Sequence, residues 1–369
     1  MALKTADGRE IIWADPHDEP FDLAGFAWIE KDTVYRRLPL VPAWDIRAEV
    51  DELANHTAGG QTRFKTDSRK IWIKAELRGP SGMYHMPATG QSGFDLYQLQ
   101  GQGYRYIKTA RFSPDTTAYE AEMFSQDEKK MNQFILNFPL YNGVKAVEVG
   151  LESGALVEAP PAFSHEGKIV IYGTSITQGG CVSRPGMAYS NILSRMLDVE
   201  FINLGFSGNG RGEPELARLI CQIPDIRLII LDYEANANET IHQTLGSFID
   251  ILRETFAEVP VLVVSKIRYA TATEGSPAYD LLIRNRDFQK SLVLQRNNEG
   301  DKNLFFLDGS SFLGEDYDEC TVDGSHPSDL GSHRIAAALL TAIEDIMRYR
   351  TFRNKLYENL KENSAHDKN

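Results

Sequence analysis

One stretch, from Lys168 to Gly180 (KIVIYGTSITQGG), most strongly constrains what this chain can fold into. Its first residues, Lys168 to Tyr172, are rich in β-branched side chains and predict a short buried strand. The chain then turns at Gly173 and presents Ser175 ahead of a predicted helix. Open α/β sheets bind ligands at the carboxyl ends of their strands, where this serine would lie. A serine here can also simply cap a turn or helix, so the stretch alone leaves both interpretations open.

The second half of the chain alternates predicted strands with predicted helices. Apolar residues recur at helical spacing between residues 241 and 256, between 279 and 296, and again after Pro327. Five strands alternating with helices imply an α/β fold, with a parallel sheet covered by helices on both faces. The predicted strands are Lys168–Tyr172, Glu200–Asn203, Ile226–Asp232, Val261–Ser265 and Asn303–Leu307.

Residues 1–160 show a different pattern, with short strand signals and almost no helical periodicity. The alternation of apolar and polar residues in Ile71–Leu77 predicts a half-buried antiparallel strand. Many short strands separated by turns predict an all-β sandwich of the jelly-roll type. The consecutive prolines within residues 158–162 mark a linker, so we predict one domain over residues 1–160 and a second over residues 166–358. The other predicted strands are Gln61–Thr66, Tyr104–Phe112, Gln133–Phe138 and Lys145–Leu151.

The composition of the 369-residue chain argues against several classes of protein. Its net charge of −13 argues against nucleic-acid partners and against binding to an anionic membrane surface. No apolar run approaches the roughly 20 residues that span a bilayer. The first residues lack the apolar core of a signal peptide, which predicts a cytoplasmic protein unless a leader has been trimmed. The three cysteines fit a reducing compartment, and Cys181, the nearest to Ser175, is interpreted as a packing residue. The oligomeric state is not predicted.

A catalytic Ser175 needs a base, and the best candidate lies near the C-terminus. Asp323 and His326 stand three residues apart in Asp-Gly-Ser-His-Pro, just before the last predicted helix. In a turn, this spacing lets the carboxylate accept a hydrogen bond from one imidazole nitrogen, while the other takes the serine proton. Of the eight histidines, only His326 combines a neighbouring acid with a predicted strand-to-helix loop. The alternative is an N-cap aspartate beside a histidine without a special role.

Acyl transfer also needs hydrogen-bond donors for the oxyanion that forms on the substrate. The glycines of Asn203–Gly208, after the second predicted strand, allow the N–H of Gly208 to approach a ligand. Asn236 follows the third strand and can offer its side-chain amide at the same sheet edge. The sequence leaves open whether Asn236 or Asn238 has this role, and both segments can equally be ordinary turns or caps.

These pieces, in this order, resemble the conserved blocks of the SGNH/GDSL hydrolase superfamily. Gly173-Thr-Ser-Ile-Thr resembles the first block, residues 203–208 resemble the second, and residues 323–327 resemble the last. Two departures stand out. Thr174 replaces the common aspartate of the first block, and only Asn236 remains of the usual Gly-x-Asn-Asp in the third.

A closer resemblance is to a two-domain subgroup of this superfamily. Its first block continues as Gln-Gly-Gly-Cys-x-Ser-Arg-Pro-Gly-Met-Ala-Tyr, which ends here at Tyr189. Its N-terminal domain carries a Gly-x-Asp-Leu-Tyr motif, found here from Gly93 to Tyr97. The resemblance covers roughly residues 35–350 and implies a flavodoxin-like, three-layer hydrolase domain with a five-stranded parallel sheet behind a β-sandwich.

The resemblance also implies an activity, that of a serine esterase. Ser175 would attack the acyl carbon, His326 would act as base and then acid, and Asp323 would orient His326. The N–H groups of Ser175 and Gly208, with the Asn236 side chain, would stabilise the oxyanion. No metal or organic cofactor is implied.

The architecture resembles bacterial carbohydrate esterases that remove acetyl groups from sugars. We therefore expect a short-chain ester, above all an acetyl ester, of a small-molecule or saccharide alcohol. Four polar residues are candidates for the substrate pocket: Arg184, Asn209, Glu234 and Asp95. Asp95 can equally be structural, closing a turn in the sandwich. Two alternatives stay open: a lipolytic esterase for longer acyl chains, and a carbohydrate-binding protein on a degenerate hydrolase scaffold.

Overall fold

The first ten strands form two antiparallel sheets that share one apolar core. The computed structural model describes the backbone of residues 10–366 and the side chains of residues 10–349. One sheet has the strand order β1-β9-β4-β7 and the other β10-β3-β8-β5-β6, with β2 beside β3. Their bounds are β1 Ile11–Ala14, β2 Asp22–Ala24, β3 Gln61–Thr66, β4 Lys70–Leu77, β5 Asp95–Gln100, β6 Gly103–Thr109, β7 Ala118–Ser125, β8 Asn132–Asn137, β9 Val144–Glu152 and β10 Val157–Glu158. The predicted β-sandwich is confirmed, and its jelly-roll topology stays a prediction.

The sandwich core follows from period-two alternation along its strands. In β4, Ile71, Ile73, Ala75 and Leu77 are buried, whereas the charged residues between them face solvent. They pack with aromatic side chains of the other sheet, including Phe64 of β3. The alternation read from the sequence is therefore the one that the structure uses.

The second unit is a five-stranded parallel sheet with the order β12-β11-β13-β14-β15. The first strand in sequence is thus second in the sheet, as in flavodoxin-like folds, which confirms the predicted α/β class. The strands are β11 Lys168–Gly173, β12 Glu200–Gly205, β13 Ile226–Asp232, β14 Val261–Val264 and β15 Leu304–Leu307. The α-helices within residues 10–366 are α1 Ile29–Asp32, α2 Ala48–Leu53, α3 Ala88–Gln91, α4 Ser175–Gln178, α5 Tyr189–Leu197, α6 Pro214–Ile220, α7 Glu234–Ala237, α8 Ile241–Thr255, α9 Pro277–Asn298 and α10 Asp329–His366.

The parallel sheet is buried on both faces, because its strands are almost wholly apolar. Val170 and Tyr172 of β11 pack on one face with α6 and α8. Ile169 and Ile171 pack on the other face with α5 and α10. The sheet and the helices on its two faces therefore form three layers. Strands covered on both faces are typical of parallel sheets, and they explain the continuous apolar runs in the sequence.

The strand order brings the sequence blocks together at one edge of the sheet. β11 lies between β12 and β13, and Gly173 at its carboxyl end is paired with Gly205 on one side and Asp232 on the other. The loops after these three strands therefore meet. Ser175 follows β11, Gly208 follows β12 and Asn236 follows β13.

The sandwich contacts the parallel sheet through its own buried residues. Leu38, Val50 and Ala54 of the sandwich domain belong to the same apolar cluster as the α6–α8 face. Arg37 is 1% exposed and donates hydrogen bonds to main-chain carbonyls on both sides, among them those of His56 and Gly205. The contact therefore includes both apolar packing and buried polar bonds.

The structure corrects several predicted element bounds. Tyr104–Phe112 is too long, because β6 ends at Thr109, and β1, β2, β5 and β7 were not predicted at all. The strand β5, with the sequence DLYQLQ, is buried from Asp95 to Tyr97 and exposed at Leu99 and Gln100, so it lacks a clear apolar alternation. The antiparallel sheets end at Glu158 and the parallel sheet begins at Lys168, while the proposed domain bounds stay predictions. Among the described residues, no helix is long and apolar enough to cross a membrane; the cytoplasmic location stays a prediction.

Candidate active site

Ser175 is the first residue of the short helix α4, directly after the central strand. Thr174 caps this helix: its side chain accepts a hydrogen bond from the N–H of Ile176, and Thr177 accepts one from the N–H of Thr174. The turn requires glycine at 173, since a Cβ there would lie 1.9 Å from Oγ1 of Thr177. The capping box uses the threonine that stands where the related block has aspartate, so this departure leaves the turn intact.

Asp323, His326 and Ser175 form a continuous hydrogen-bonded chain. Nε2 of His326 lies 2.8 Å from Oγ of Ser175, and Nδ1 lies 2.7 Å from Oδ2 of Asp323. The carboxylate can only accept, so Nδ1 carries the proton and Nε2 is free to accept from the serine hydroxyl. Ser175 is 7% exposed and the side chains of Asp323 and His326 are each 24% exposed. The geometry is that of a nucleophile, a base and an orienting acid.

The turn that carries Asp323 holds this carboxyl in its ionised form. Its other oxygen accepts hydrogen bonds from the N–H groups of Ser325 and His326, at 3.0 and 2.8 Å. Partial burial opposes ionisation, but these bonds and the bond from the His326 ring outweigh it and keep the pKa of Asp323 below its usual range. Gly324 adopts φ +88°, a conformation that allows the acid and the imidazole to face each other three residues apart.

Three N–H donors in the segments that follow β11, β12 and β13 have no acceptor among the described residues. They are the main-chain N–H groups of Ser175 and Gly208 and the side-chain amide of Asn236. Oδ1 of Asn236 accepts from the N–H of Gly210 at 3.2 Å, so its NH₂ group is turned the other way. Gly208 has φ +69°, and a Cβ there would meet nothing within 4 Å, so open space lies beside it. Asn238 is exposed in the turn after α7, and Asn236 is the better-placed donor.

The sandwich domain supports the nucleophile helix directly. The hydroxyl of Tyr141 donates to the carbonyl of Ser175 at 3.1 Å. The amide of Gln178, at the end of α4, donates to Nδ1 of His56 at 3.0 Å and accepts from the N–H of Ser207 at 3.1 Å. Burial and nearby Arg37 lower the pKa of His56 to about 3, so His56 stays a neutral acceptor. This chain of bonds links the sandwich to the residue that precedes Gly208.

A loop of the sandwich domain also reaches the His326 side of the site. The His85 ring lies with its centroid 5.6 Å from that of His326, and Tyr84 beside it is 93% exposed. Cys181 follows α4 and is buried. Its backbone φ is +71°, which is unusual for a residue other than glycine. One ligand atom from each of His85, Cys181, Asp323 and His326 lies within 4.8 Å of all the others, so these four residues are the ones that could hold a metal ion.

The four pocket candidates do not line the site as expected. Asp95 is fully buried in the sandwich, where it accepts from Arg184 at 3.0 Å and from the N–H of Gly186 at 2.8 Å. Arg184 also donates to the hydroxyl of Tyr97 and lies over the Tyr106 ring, so its polar contacts are with the sandwich. The Gly-x-Asp-Leu-Tyr motif thus joins the two domains. Asp95 lies in β5 and does not close a turn, and its place in the substrate pocket stays a prediction.

Glu234 and Asn209 are also occupied by protein partners. Glu234 is 1% exposed and accepts from the N–H of Lys266 and from the amide of Gln289, both at 2.7 Å. It therefore cannot contact a substrate. Oδ1 of Asn209 accepts from Arg47 at 2.8 Å, and its amide donates to the carbonyl of Ser207 at 2.9 Å, so Asn209 fixes the loop beside Gly208.

Sequence reasoning missed the contributions of the sandwich to the site. Tyr141 belongs to none of the motifs described above, and His85 and Tyr84 lie in a loop that carries no motif. Their role depends on how the sandwich meets the parallel sheet, which no local pattern encodes. The Gly-x-Asp-Leu-Tyr motif indicated that this domain matters, and in the structure its Asp95 contacts Arg184 and Gly186.

Comparison with known proteins supports the assignment of both units. Residues 166–344 match the GDSL-like lipase/acylhydrolase family, and residues 11–157 match the GxDLY domain, the N-terminus of SGNH-hydrolase-type esterases. No curated protein matched the chain. A protein named as a GDSL-like lipase from Bacteroides ovatus ATCC 8483 is 30% identical over 92% of this chain and 98% of its own, with a TM-score of 0.84.

Two more distant structures share the fold across both domains. The salicylyl-acyltransferase SsfX3 of a tetracycline biosynthetic pathway is 21% identical over 89% of this chain and 95% of its own, with a TM-score of 0.74. A family two carbohydrate esterase from Cellvibrio japonicus is 14% identical over 92% of this chain and 99% of its own, with a TM-score of 0.59. With the near-complete match to the Bacteroides protein, these findings establish that the chain belongs to the GDSL-like lipase/acylhydrolase family and is an esterase with an N-terminal GxDLY domain.

Proposed function

We propose that the protein hydrolyses short-chain esters, above all acetyl esters of carbohydrates, by a Ser-His-Asp mechanism. The observation that carries the proposal is the chain of two hydrogen bonds, 2.8 Å from Ser175 to His326 and 2.7 Å from His326 to Asp323. This spacing lets the imidazole remove the serine proton as the hydroxyl attacks the acyl carbon.

In the first half of the reaction, Oγ of Ser175 bonds to the acyl carbon and its proton passes to Nε2 of His326. The carbonyl oxygen becomes an oxyanion, for which Gly208 and Asn236 offer unengaged N–H donors. His326 then gives its proton to the leaving alcohol, and the acyl group stays on Ser175. In the second half, His326 takes a proton from water, the hydroxide attacks the acyl carbon, and the carboxylic acid leaves as Ser175 regains its proton.

Two features support a small acyl group and a polar alcohol. The residues around the nucleophile are mainly polar or small. Tyr84, an aromatic residue that is 93% exposed, packs against His85, whose ring lies 5.6 Å from that of His326. Exposed aromatic rings can stack on sugar rings, which have apolar faces. The two-domain architecture is also that of the family two carbohydrate esterases, whose chains align with this one over nearly their full length.

The activity is tested with p-nitrophenyl acetate, butyrate and octanoate, together with an acetylated sugar. Ser175→Ala should lower kcat by roughly 10⁴-fold or more while leaving the melting temperature nearly unchanged. Ser113→Ala is the matched control, because Ser113 is exposed and its hydroxyl makes no hydrogen bond among the described residues. Residual activity of more than a few per cent in Ser175→Ala would contradict the mechanism.

The same assay separates the alternatives. One extra methylene changes transition-state binding by about 1–3 kcal/mol, so a short-acyl pocket should show a graded fall in kcat/KM from acetate to octanoate. Faster hydrolysis of octanoate would favour a lipolytic esterase. A wild-type protein that binds saccharides but hydrolyses none of these esters would instead favour a carbohydrate-binding protein on a hydrolase scaffold.

A further inference from the structure

Four metal-ligating side chains converge beside the nucleophile, although ester hydrolysis as proposed uses only two of them. Asp323 and His326 belong to the hydrogen-bonded chain of the site. His85 comes from the loop between β4 and α3 of the sandwich, and Cys181 follows α4. One ligand atom from each of the four lies within 4.8 Å of every other. Three separate segments from two domains therefore supply one cluster.

The two residues that the mechanism does not use lack polar partners. Nδ1 of His85 is buried without a hydrogen bond, and the thiol of Cys181 makes none among the described residues. Buried polar atoms are normally satisfied, so an unpartnered imidazole nitrogen beside an unpartnered thiol needs an explanation. A bound cation would explain both.

The cluster has the composition and size of a zinc site. Two imidazoles, a thiolate and a carboxylate are the donors that Zn²⁺ takes in tetrahedral sites, with bonds of about 2.0–2.3 Å. Such bonds place neighbouring ligand atoms about 3.3–3.7 Å apart. The atoms here lie no more than 4.8 Å apart, so side-chain shifts of about 1 Å would close the site. Mg²⁺ and Ca²⁺ prefer all-oxygen sites and would not fit this set.

We propose that His85, Cys181, Asp323 and His326 form a binding site for Zn²⁺ or a similar borderline cation, and that binding reversibly switches the esterase off. The cation binds Nδ1 of His326 and the carboxylate of Asp323 in place of the hydrogen bond between them. The imidazole proton then moves from Nδ1 to Nε2, so Nε2 can no longer accept the Ser175 proton. The thiol proton of Cys181 leaves to solvent as the thiolate binds. The effect on activity rests on the proposed Ser-His-Asp mechanism, whereas the metal site itself does not.

The binding test uses Co²⁺ as a spectroscopic probe on the full chain, so it needs no activity. A Co²⁺ ion bound by a thiolate gives a near-ultraviolet charge-transfer band and intense visible bands of tetrahedral geometry. We expect both in the wild type, and we expect Cys181→Ser to lose the charge-transfer band. Cys221→Ser is the matched control and should keep the charge-transfer band. Cys221 lies at the C-terminal end of α6 and is not part of the cluster. A wild-type spectrum of octahedral Co²⁺ without the thiolate band would overturn the site.

The inhibition test adds Zn²⁺ to the esterase assay in a buffer that does not chelate. We expect inhibition at micromolar Zn²⁺, reversal by EDTA and no inhibition by Mg²⁺. Loss of a residue that only supports a metal ligand typically weakens binding 10–100-fold, so Cys181→Ser should raise the inhibitory concentration by at least about that factor. The inhibition of Cys181→Ser is measured relative to its own rate without metal. His85→Ala should raise the inhibitory concentration similarly, relative to its own uninhibited rate.

The two tests fail in different ways. A thiolate band without inhibition would keep the metal site and refute the switch. Equal inhibition of the wild type and Cys181→Ser would refute the proposed ligand set. An enzyme that hydrolyses no ester at all would refute the proposed function, while the Co²⁺ spectrum would still decide the metal site.

Discussion

Replacement of Asp95 tests how the sandwich and the hydrolase unit are joined. The side chain of Asp95 is 0% exposed and accepts three hydrogen bonds: from Asn137 at 2.8 Å, Arg184 at 3.0 Å and the N–H of Gly186 at 2.8 Å. Two of the three donors belong to the loop that follows the nucleophile helix. Asp95→Ala would leave all three donors without this acceptor.

The expected loss follows from the burial of these partners. Removal of one member of a buried ion pair typically destabilises a protein by about 3–5 kcal/mol, because the remaining charge stays buried and unpaired. Arg184 keeps the hydroxyl of Tyr97 and is 19% exposed, so it can recover part of its hydration. We therefore expect Asp95→Ala to lower the free energy of unfolding by about 3 kcal/mol, the lower end of this range.

The assay follows urea unfolding with two probes that report different parts of the chain. All four tryptophans lie within residues 1–160, and Trp28 and Trp44 pack against the apolar cluster of the hydrolase unit. Their fluorescence therefore reports the sandwich and its contact with that unit. Far-ultraviolet circular dichroism is dominated by the helices, most of which belong to the hydrolase unit. The two transitions should coincide in the wild type and separate in Asp95→Ala, because the bond between the units is weakened.

The matched control is Asp115→Ala, the same change at an exposed residue whose carboxylate has no partner among the described residues. It should alter stability by less than about 0.5 kcal/mol. If Asp95→Ala were no more destabilising than this control, the buried pair would not hold the units together. Full activity of Asp95→Ala with unchanged KM on both an acetate ester and an acetylated sugar would show that the loop position has no effect on the site.

Four further outcomes are expected. Asn236→Ala should lower kcat for ester hydrolysis about 10²–10³-fold, whereas Asn238→Ala should leave it nearly unchanged; equal effects would contradict the oxyanion assignment. Arg37→Met should lower the melting temperature markedly, because buried main-chain carbonyls lose their donor at a cost of about 1–3 kcal/mol each; a thermal shift within error would refute this. Burial raises the pKa of Asp232 from 3.8 to about 7, so the wild type should lose stability as pH rises from 4 to 7, and Asp232→Asn should lack this loss in pH-dependent urea unfolding. Tyr84→Ala should raise KM for an acetylated sugar but not for p-nitrophenyl acetate, and equal changes would argue against sugar stacking.

The sequence by itself determined the elements of the hydrolase unit and the chemistry of its site. β-branched runs and helical spacing predicted its strands to within a few residues, because parallel strands are buried on both faces and read as continuous apolar segments. Asp323 and His326 were predicted as partners since both lie in one turn, where a distance is set by local backbone geometry. Gly208 and Asn236 could be named because parallel strands present their carboxyl ends at a common edge.

Only the tertiary structure decided what Asp95, Arg184, Glu234 and Asn209 do. A charged side chain in a loop looks the same in sequence whether it faces substrate or a buried partner. The difference depends on what packs against it, and here the partners are up to 162 residues apart in the chain. The approach of His85 to Cys181 and His326 is equally non-local. It exists because two units, each with its own core, meet at the edge where the nucleophile lies, and no periodicity within either unit encodes that contact.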